Sequence, residues 1–321
     1  MENVMNKISI ALSFILFITF IYGCSEDTLG PTNKNQLPEG IAGTTSFKYV
    51  YLETAPIHTQ TSMLTGYQNG FYRIGSRWPI QVLDLVNNSW SEIQLPDSTF
   101  WRWDGAAVTI DDSIFIIATS SASNSYDILK LDLSTITLQH TNINLPSDFH
   151  YPAYCTFGDR IVFFSLKTDS IFEFNSEKSE LKKVAENPFI NIEDINQTLS
   201  SGKYLNYFYV FGGFSSLPKN LFYRLNLDNH LWEQLAMPAI LENKQLIGAS
   251  FGSNFLLFCD SLSTYEYSFI DNRWYLDTSK VPIYVRDLTG QLMQGEWSFS
   301  SEDSCLYGSE NLSDKVWKIS K

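Results

Sequence analysis

The residues whose types suit chemistry fall mainly in a few short polar segments. Phe100-Trp101-Arg102-Trp103-Asp104 alternates flat rings with a guanidinium and ends on a carboxylate, and Arg77-Trp78 repeats the theme earlier in the chain. A flat ring stacks on the apolar face of a sugar, while Arg forks onto hydroxyls or a carboxylate. His150-Tyr151, Glu193 and Arg286 join the candidates because each lies in a polar segment between apolar runs, where binding residues concentrate. Arg77, Trp78, Trp101, Arg102, Trp103, His150, Tyr151, Glu193 and Arg286 are therefore the expected ligand contacts. The competing reading of the rings is packing. Alternate residues of Trp101-Arg102-Trp103 must point in different directions, so some of them would plug gaps in the core.

Catalytic signals are thin. His58, His140, His150 and His230 show no metal-ligand spacing, and no Gly-x-Ser-x-Gly elbow, phosphate loop or Cys-His pair occurs. Glu193, Asp194 and Asp287 are carboxylates that could serve as acid and base, although a solvated loop charge explains each as well. The expectation is no catalytic residue that can be named, no cofactor and no metal.

The elements that must position these residues begin after a targeting segment. Lys7 precedes an apolar run from Ile8 to Ile21. At about 14 residues it is too short to span a bilayer and right for a signal h-region. It ends in Ile21-Tyr22-Gly23-Cys24, which resembles a bacterial lipobox. The resemblance implies cleavage before Cys24 and diacylglycerol on its thiol, hence export and a lipid anchor in the outer membrane as the only membrane contact. The acidic pair Glu26-Asp27 resembles the surface-export signal of Bacteroidetes lipoproteins. Residues 1–23 read as signal peptide and residues 24–45, rich in Thr, Asn, Gly and Pro, as a flexible tether.

The rest, residues 46–321, is long enough for one large domain. A formal net charge of −13, with no block of Lys or Arg, argues against a phosphate-binding surface, so nucleic acid is not an expected partner. Beyond Cys24, the cysteines Cys155, Cys259 and Cys305 are an odd set without metal spacing and read as small core residues.

Short runs of Val, Ile, Phe, Tyr, Trp and Leu, separated by Asn, Asp, Gly and Pro, mark strands throughout. They repeat. The clearest unit runs from Tyr207-Phe208-Tyr209-Val210-Phe211-Gly212-Gly213 through Leu221–Leu227 and an Asp228-Asn229 turn to Leu231-Trp232. Weaker copies place Trp90, Leu138, Leu181, Trp232 and Trp274 at matching positions, about 42–51 residues apart. Four short strands at that period make a propeller blade. Five units are complete, and a sixth stops at its third strand. The segment Phe47–Leu52 is a strand with no partner nearby, so it is expected to supply the missing outer strand and close a six-bladed ring.

The Gly212-Gly213 pair followed by Tyr223 and Trp232 resembles the kelch repeat, in one blade strongly and in the others weakly, since Gly75-Ser76, Thr119-Ser120 and Asp260-Ser261 replace the pair. The resemblance implies an all-β, six-bladed kelch-type propeller. Some kelch propellers bind ligands, and others are sugar mutarotases or copper-dependent galactose oxidases. The oxidase chemistry finds no support, since Tyr154-Cys155 alone builds no copper site. The expected function is a cell-envelope module that binds a glycan or protein. The alternatives are a mutarotase-like isomerase and a structural scaffold in an envelope complex.

Overall fold

In the computed structural model the described residues are 37–56, 62–75, 79–95, 105–119, 126–146, 149, 152–165, 167–189, 199–212, 220–242, 246–259, 263–279, 296–300, 304–309 and 316–321. From Pro38 to Lys321 they form one unit of six sheets, antiparallel throughout except for one added parallel edge strand. The fold is a six-bladed β-propeller, and among the described residues the helical content is the short 3₁₀ turn Ala239–Leu241.

Each complete blade runs in chain order from the channel outward. The first is Ser62–Tyr67, Gly70–Gly75, Ile80–Asp84 and Ser89–Ile93; the second is Ala106–Ile110, Ser113–Thr119, Tyr126–Asp132 and Thr137–Asn144. The third is Ala153–Phe157, Arg160–Phe164, Ser170–Asn175 and Glu180–Glu186; the fourth is Ser200–Tyr204, Tyr207–Gly212, Leu221–Asn226 and Leu231–Gln234. The fifth is Leu246–Phe251, Asn254–Cys259, Thr264–Ser268 and Arg273–Asp277. The sixth combines Glu296–Ser300, Cys305–Ser309 and Val316–Ser320 with Lys48–Tyr51 as its outer strand. Innermost strands of adjacent blades touch all round the ring, the last against the first.

Burial explains the sequence pattern. The two middle strands of a blade are covered on both faces by neighbouring blades, so they read as unbroken apolar runs: Ile114, Phe115, Ile116 and Ile117 are all buried. Outer strands lie at the rim and alternate, as Thr137–Asn144 does. Inner strands converge on the channel and need small residues. A Cβ on Gly202 would lie 2.4 Å from Ser250 Oγ, and one on Gly248 would lie 2.7 Å from the Leu256 carbonyl. Hydroxyls from one inner strand satisfy the backbone of the next. Ser201 Oγ accepts from Tyr154 N at 3.0 Å and donates to Tyr154 O at 2.9 Å. Ser250 Oγ accepts from Lys203 N at 3.0 Å. These bonds supply partners that the inner sheet edges otherwise lack.

The turns repeat too. The residue ending each third strand caps the following turn: Asp84 accepts from Val86 N, Asp132 from Ser134 N, Asn175 from Lys178 N and Asn226 from Asp228 N. The residue before each outer strand (Asn88, Ile136, Ser179, His230, Asn272) has φ between 48° and 59°. At the other side of the blade, Gly212 ends its strand at φ 150°, which an L side chain rarely adopts.

Lys48–Tyr51 pairs with Val316–Ser320 as the strand count required. The tether boundary differs from the expectation. Ile41–Thr45 is a strand, lying parallel along Arg273–Asp277 outside the fifth blade. The polar composition of 24–45 concealed it: only Ile41 is buried, and the segment is held mainly by a ladder on the sheet edge.

Candidate functional site

Strand alternation gathers the connections into two unlike sets. On one face, two-residue turns at 68–69, 111–112, 158–159, 205–206 and 252–253 join first to second strands, and four-residue turns at 85–88, 133–136, 176–179, 227–230 and 269–272 join third to outer strands. The strand ends at the other face are joined by longer stretches, such as 94–105, 145–152, 187–199 and 278–295. The sequence-predicted contacts lie in connections on this side, most of them in the longer stretches, Arg77 and Trp78 in the four-residue link 76–79. Arg77, Trp78, Trp101, Arg102, Trp103, His150, Tyr151, Glu193 and Arg286 lie outside the described residues, as does Cys24.

The roots of those connections are described, and they are firmly held. Phe149, next to His150, is fully buried, edge-on to Tyr126 at 5.7 Å and to Phe163 at 5.3 Å, and so fills the gap between the second and third blades. Phe189 does the same between the third and fourth, 6.1 Å from Phe164 and 5.4 Å from Tyr223. Asn187 is buried; its amide donates to the carbonyls of Ser165 and Thr168, and its Oδ1 accepts from Phe189 N. Gly105 ends the Trp101–Asp104 segment where a Cβ would lie 2.3 Å from the Ile117 carbonyl. Packing rings at this face are therefore real, at Phe149 and Phe189, which sequence reasoning did not single out. The signal available was their position, each just after a Pro-containing step that follows an outer strand.

Among the described residues the densest charge cluster lies on the third blade. Glu173 is buried with both oxygens paired: Arg160 Nη1 donates to Oε2 at 3.0 Å and Lys182 Nζ to Oε1 at 2.8 Å. Sequence reasoning missed this trio because its members lie on three different strands. His140 pairs with Asp127 at 2.8 Å on the second blade, and His230 sits in a turn. No three His, Cys, Asp or Glu side chains converge as a metal site among the described residues. Cys155 and Cys305 are free thiols, and burial pushes the Cys155 thiol up to about 12, so it stays protonated at neutral pH. No helix among the described residues is long and apolar enough to cross a membrane.

The ring and its two unlike faces define a propeller scaffold presenting long connections on one side. The sequence matches no protein-family model, and no curated protein matches it. Solved structures share the fold. One is YjhT, at 10% identity over 83% of this chain and 95% of that one, with a TM-score of 0.60. Another is an auxiliary nutrient binding protein from Bacteroides ovatus, at 11% identity over 86% of this chain and 76% of that one, with a TM-score of 0.56. A third is an oligogalacturonate lyase in complex with manganese, at 11% identity over 81% and 76%, with a TM-score of 0.51.

Proposed function

We propose that this protein is a ligand-binding propeller of divergent kelch type, held at a membrane by lipid on Cys24 and capturing a glycan or protein ligand with the face that carries its long connections. The observation that carries this reading is the asymmetry of the faces. One is closed by repeated tight turns, while the other has long connections whose roots are fixed by Phe149, Phe189 and Asn187. Long segments on a rigid base are where binding residues belong, because the base limits the ordering entropy that capture must offset. In this reading Trp78, Trp101 and Trp103 offer stacking surfaces, and Arg77, Arg102 and Arg286 fork onto hydroxyls or a carboxylate. The likeness to a nutrient binding protein supports the reading at the level of fold.

The test is a glycan array and an envelope pull-down with folded protein and with a Trp101→Ala/Arg102→Ala variant. The expected result is a ligand retained by the wild type and lost at least about tenfold by the variant at unchanged melting temperature. Two empty screens with folded protein would overturn the reading. Fractionation of a Cys24→Ala variant checks the anchor separately: it should leave the membrane fraction.

A further inference from the structure

Three outer strands close the gap to the preceding blade in one way. The indole Nε1 of Trp90 donates to the Glu53 carbonyl at 3.0 Å, that of Trp232 to Glu186 at 2.9 Å, and that of Trp274 to Ala236 at 3.2 Å. Each acceptor lies at or just beyond the end of the previous blade's outer strand. In the second and third blades the matching residues are Leu138 and Leu181, smaller and without a donor, and at Leu181 the gap stays open. A cleft of about 520 Å³ lies there, between Ile143 and Asn144 of the second blade and Leu181 of the third.

We propose that this cleft is a ligand site for an acidic sugar of the uronate type. Leu181 and Ile143 are half-buried apolar side chains that offer a surface for the C–H face of a pyranose ring. Arg160, Lys178 and Lys182 line the same cleft. Arg160 and Lys182 are anchored by the buried Glu173 carboxylate, so their charges are held in place before a ligand arrives. Lys178 is exposed and has no acidic partner among the described residues, which leaves its ammonium for a carboxylate. Glu180 offsets part of this charge, and Asp159, which is not part of the lining, accepts from the Asn175 amide at 2.5 Å. The three cations nevertheless outnumber the two lining carboxylates in a chain whose net charge is −13. Exposed Asn144 adds an amide for ring hydroxyls. The lining favours a sugar over a peptide, because only Ile143 and Leu181 are apolar among lining residues that are otherwise charged or hydrogen-bonding.

This site is built from strand residues and the turn at 176–179 and contains no residue of the long connections, although Asn144 ends the strand leading into 145–152, so it is tested separately from them. Titration calorimetry of the full chain with digalacturonate, and with galactobiose as the neutral counterpart, reads it directly. Binding of the acid, at least about tenfold tighter than the neutral sugar and weakened by salt, is expected. Leu181→Trp refills the gap as Trp90, Trp232 and Trp274 do in their blades and should weaken binding at least about tenfold, with an unchanged or raised melting temperature. Lys178→Glu, at an exposed turn, should weaken it at least about threefold and serves if the first variant folds poorly. Trp101→Ala/Arg102→Ala should leave it unchanged. No binding by the wild type, or equal binding by both cleft variants, overturns the site. An acidic peptide that binds as tightly and is excluded by Leu181→Trp overturns the sugar assignment.

Discussion

Cutting the chain after Leu52 removes the strand that closes the ring, whereas cutting after Leu37 removes nothing from the compact unit that begins at Pro38. The difference between the two is worked out from Phe47 and its neighbours. Phe47 is 4% exposed in a cluster with Phe251, Phe258, Leu306, Trp317 and Ile319, and its ring meets that of Phe251 edge-on at 5.5 Å. Its backbone N–H donates to Ser279 Oγ at 2.7 Å, and the Tyr49 hydroxyl donates to Asp277 Oδ2 at 2.6 Å, tying the fifth blade to the sixth. Truncating a buried Phe costs about 3–5 kcal/mol. At about 2 °C per kcal/mol for a domain of this size, Phe47→Ala should melt about 6–10 °C below the wild type. Loss of the whole strand adds the Lys48–Tyr51 ladder and the Tyr49 contacts, a sum comparable to the entire stability of about 5–15 kcal/mol. A chain starting after Leu52 should therefore lack a cooperative transition. One starting after Thr45 loses only the parallel edge strand and the buried Ile41, about 1.5–3 kcal/mol. Calorimetry of the three truncations and Phe47→Ala checks the order. If the chain starting after Leu52 melts cooperatively within a degree or two of the one starting after Leu37, the ring is not held by this strand.

Two further outcomes rest on the repeated devices. Trp232→Phe keeps a ring between Phe164 and Tyr223 but removes the donor to the Glu186 carbonyl, so urea melts should show a loss of about 0.5–1.5 kcal/mol; no loss would mean that water replaces the bond at no cost. The Ser134 hydroxyl, then the Thr135 N–H, pull the Asp132 carboxyl down from 3.8 to about 2, and hydrogen bonds from Asn87 and Val86 lower Asp84 too. A carboxyl depressed in the folded state stabilises it fully above its unfolded value and loses that contribution as pH falls through the folded one, so stability should decline between about pH 4 and pH 2. Asp132→Asn keeps the turn acceptor, as Asn175 and Asn226 do in other blades, and urea melts across that range should show a shallower decline; an unchanged slope would place the proton uptake elsewhere.

The sequence by itself determined the period, the strands and the closure. Middle strands covered on both faces must be continuously apolar, as residues 114–118 are, and outer strands must alternate, so burial writes the blade into the composition. The unpartnered strand at Lys48–Tyr51 was legible because an open sheet edge needs a partner. Ile41–Thr45 was not legible, since backbone pairing on an edge leaves almost no side-chain signature. Of the candidate site, the sequence marked the polar segments of the long-connection face but not the rings that plug their roots: Phe149 and Phe189 acquire that role from the blades on either side. Arg160, Glu173 and Lys182 likewise became a cluster only in three dimensions. Glu173 faces Lys182 directly across the outer pair of strands, and Arg160 reaches it from the strand on the other side. The cleft beside them exists because the gap between two twisted blades has a fixed width. Three tryptophans span that width and the leucines of the second and third blades do not; at Leu181 the difference becomes a cavity once the neighbouring blade is in place.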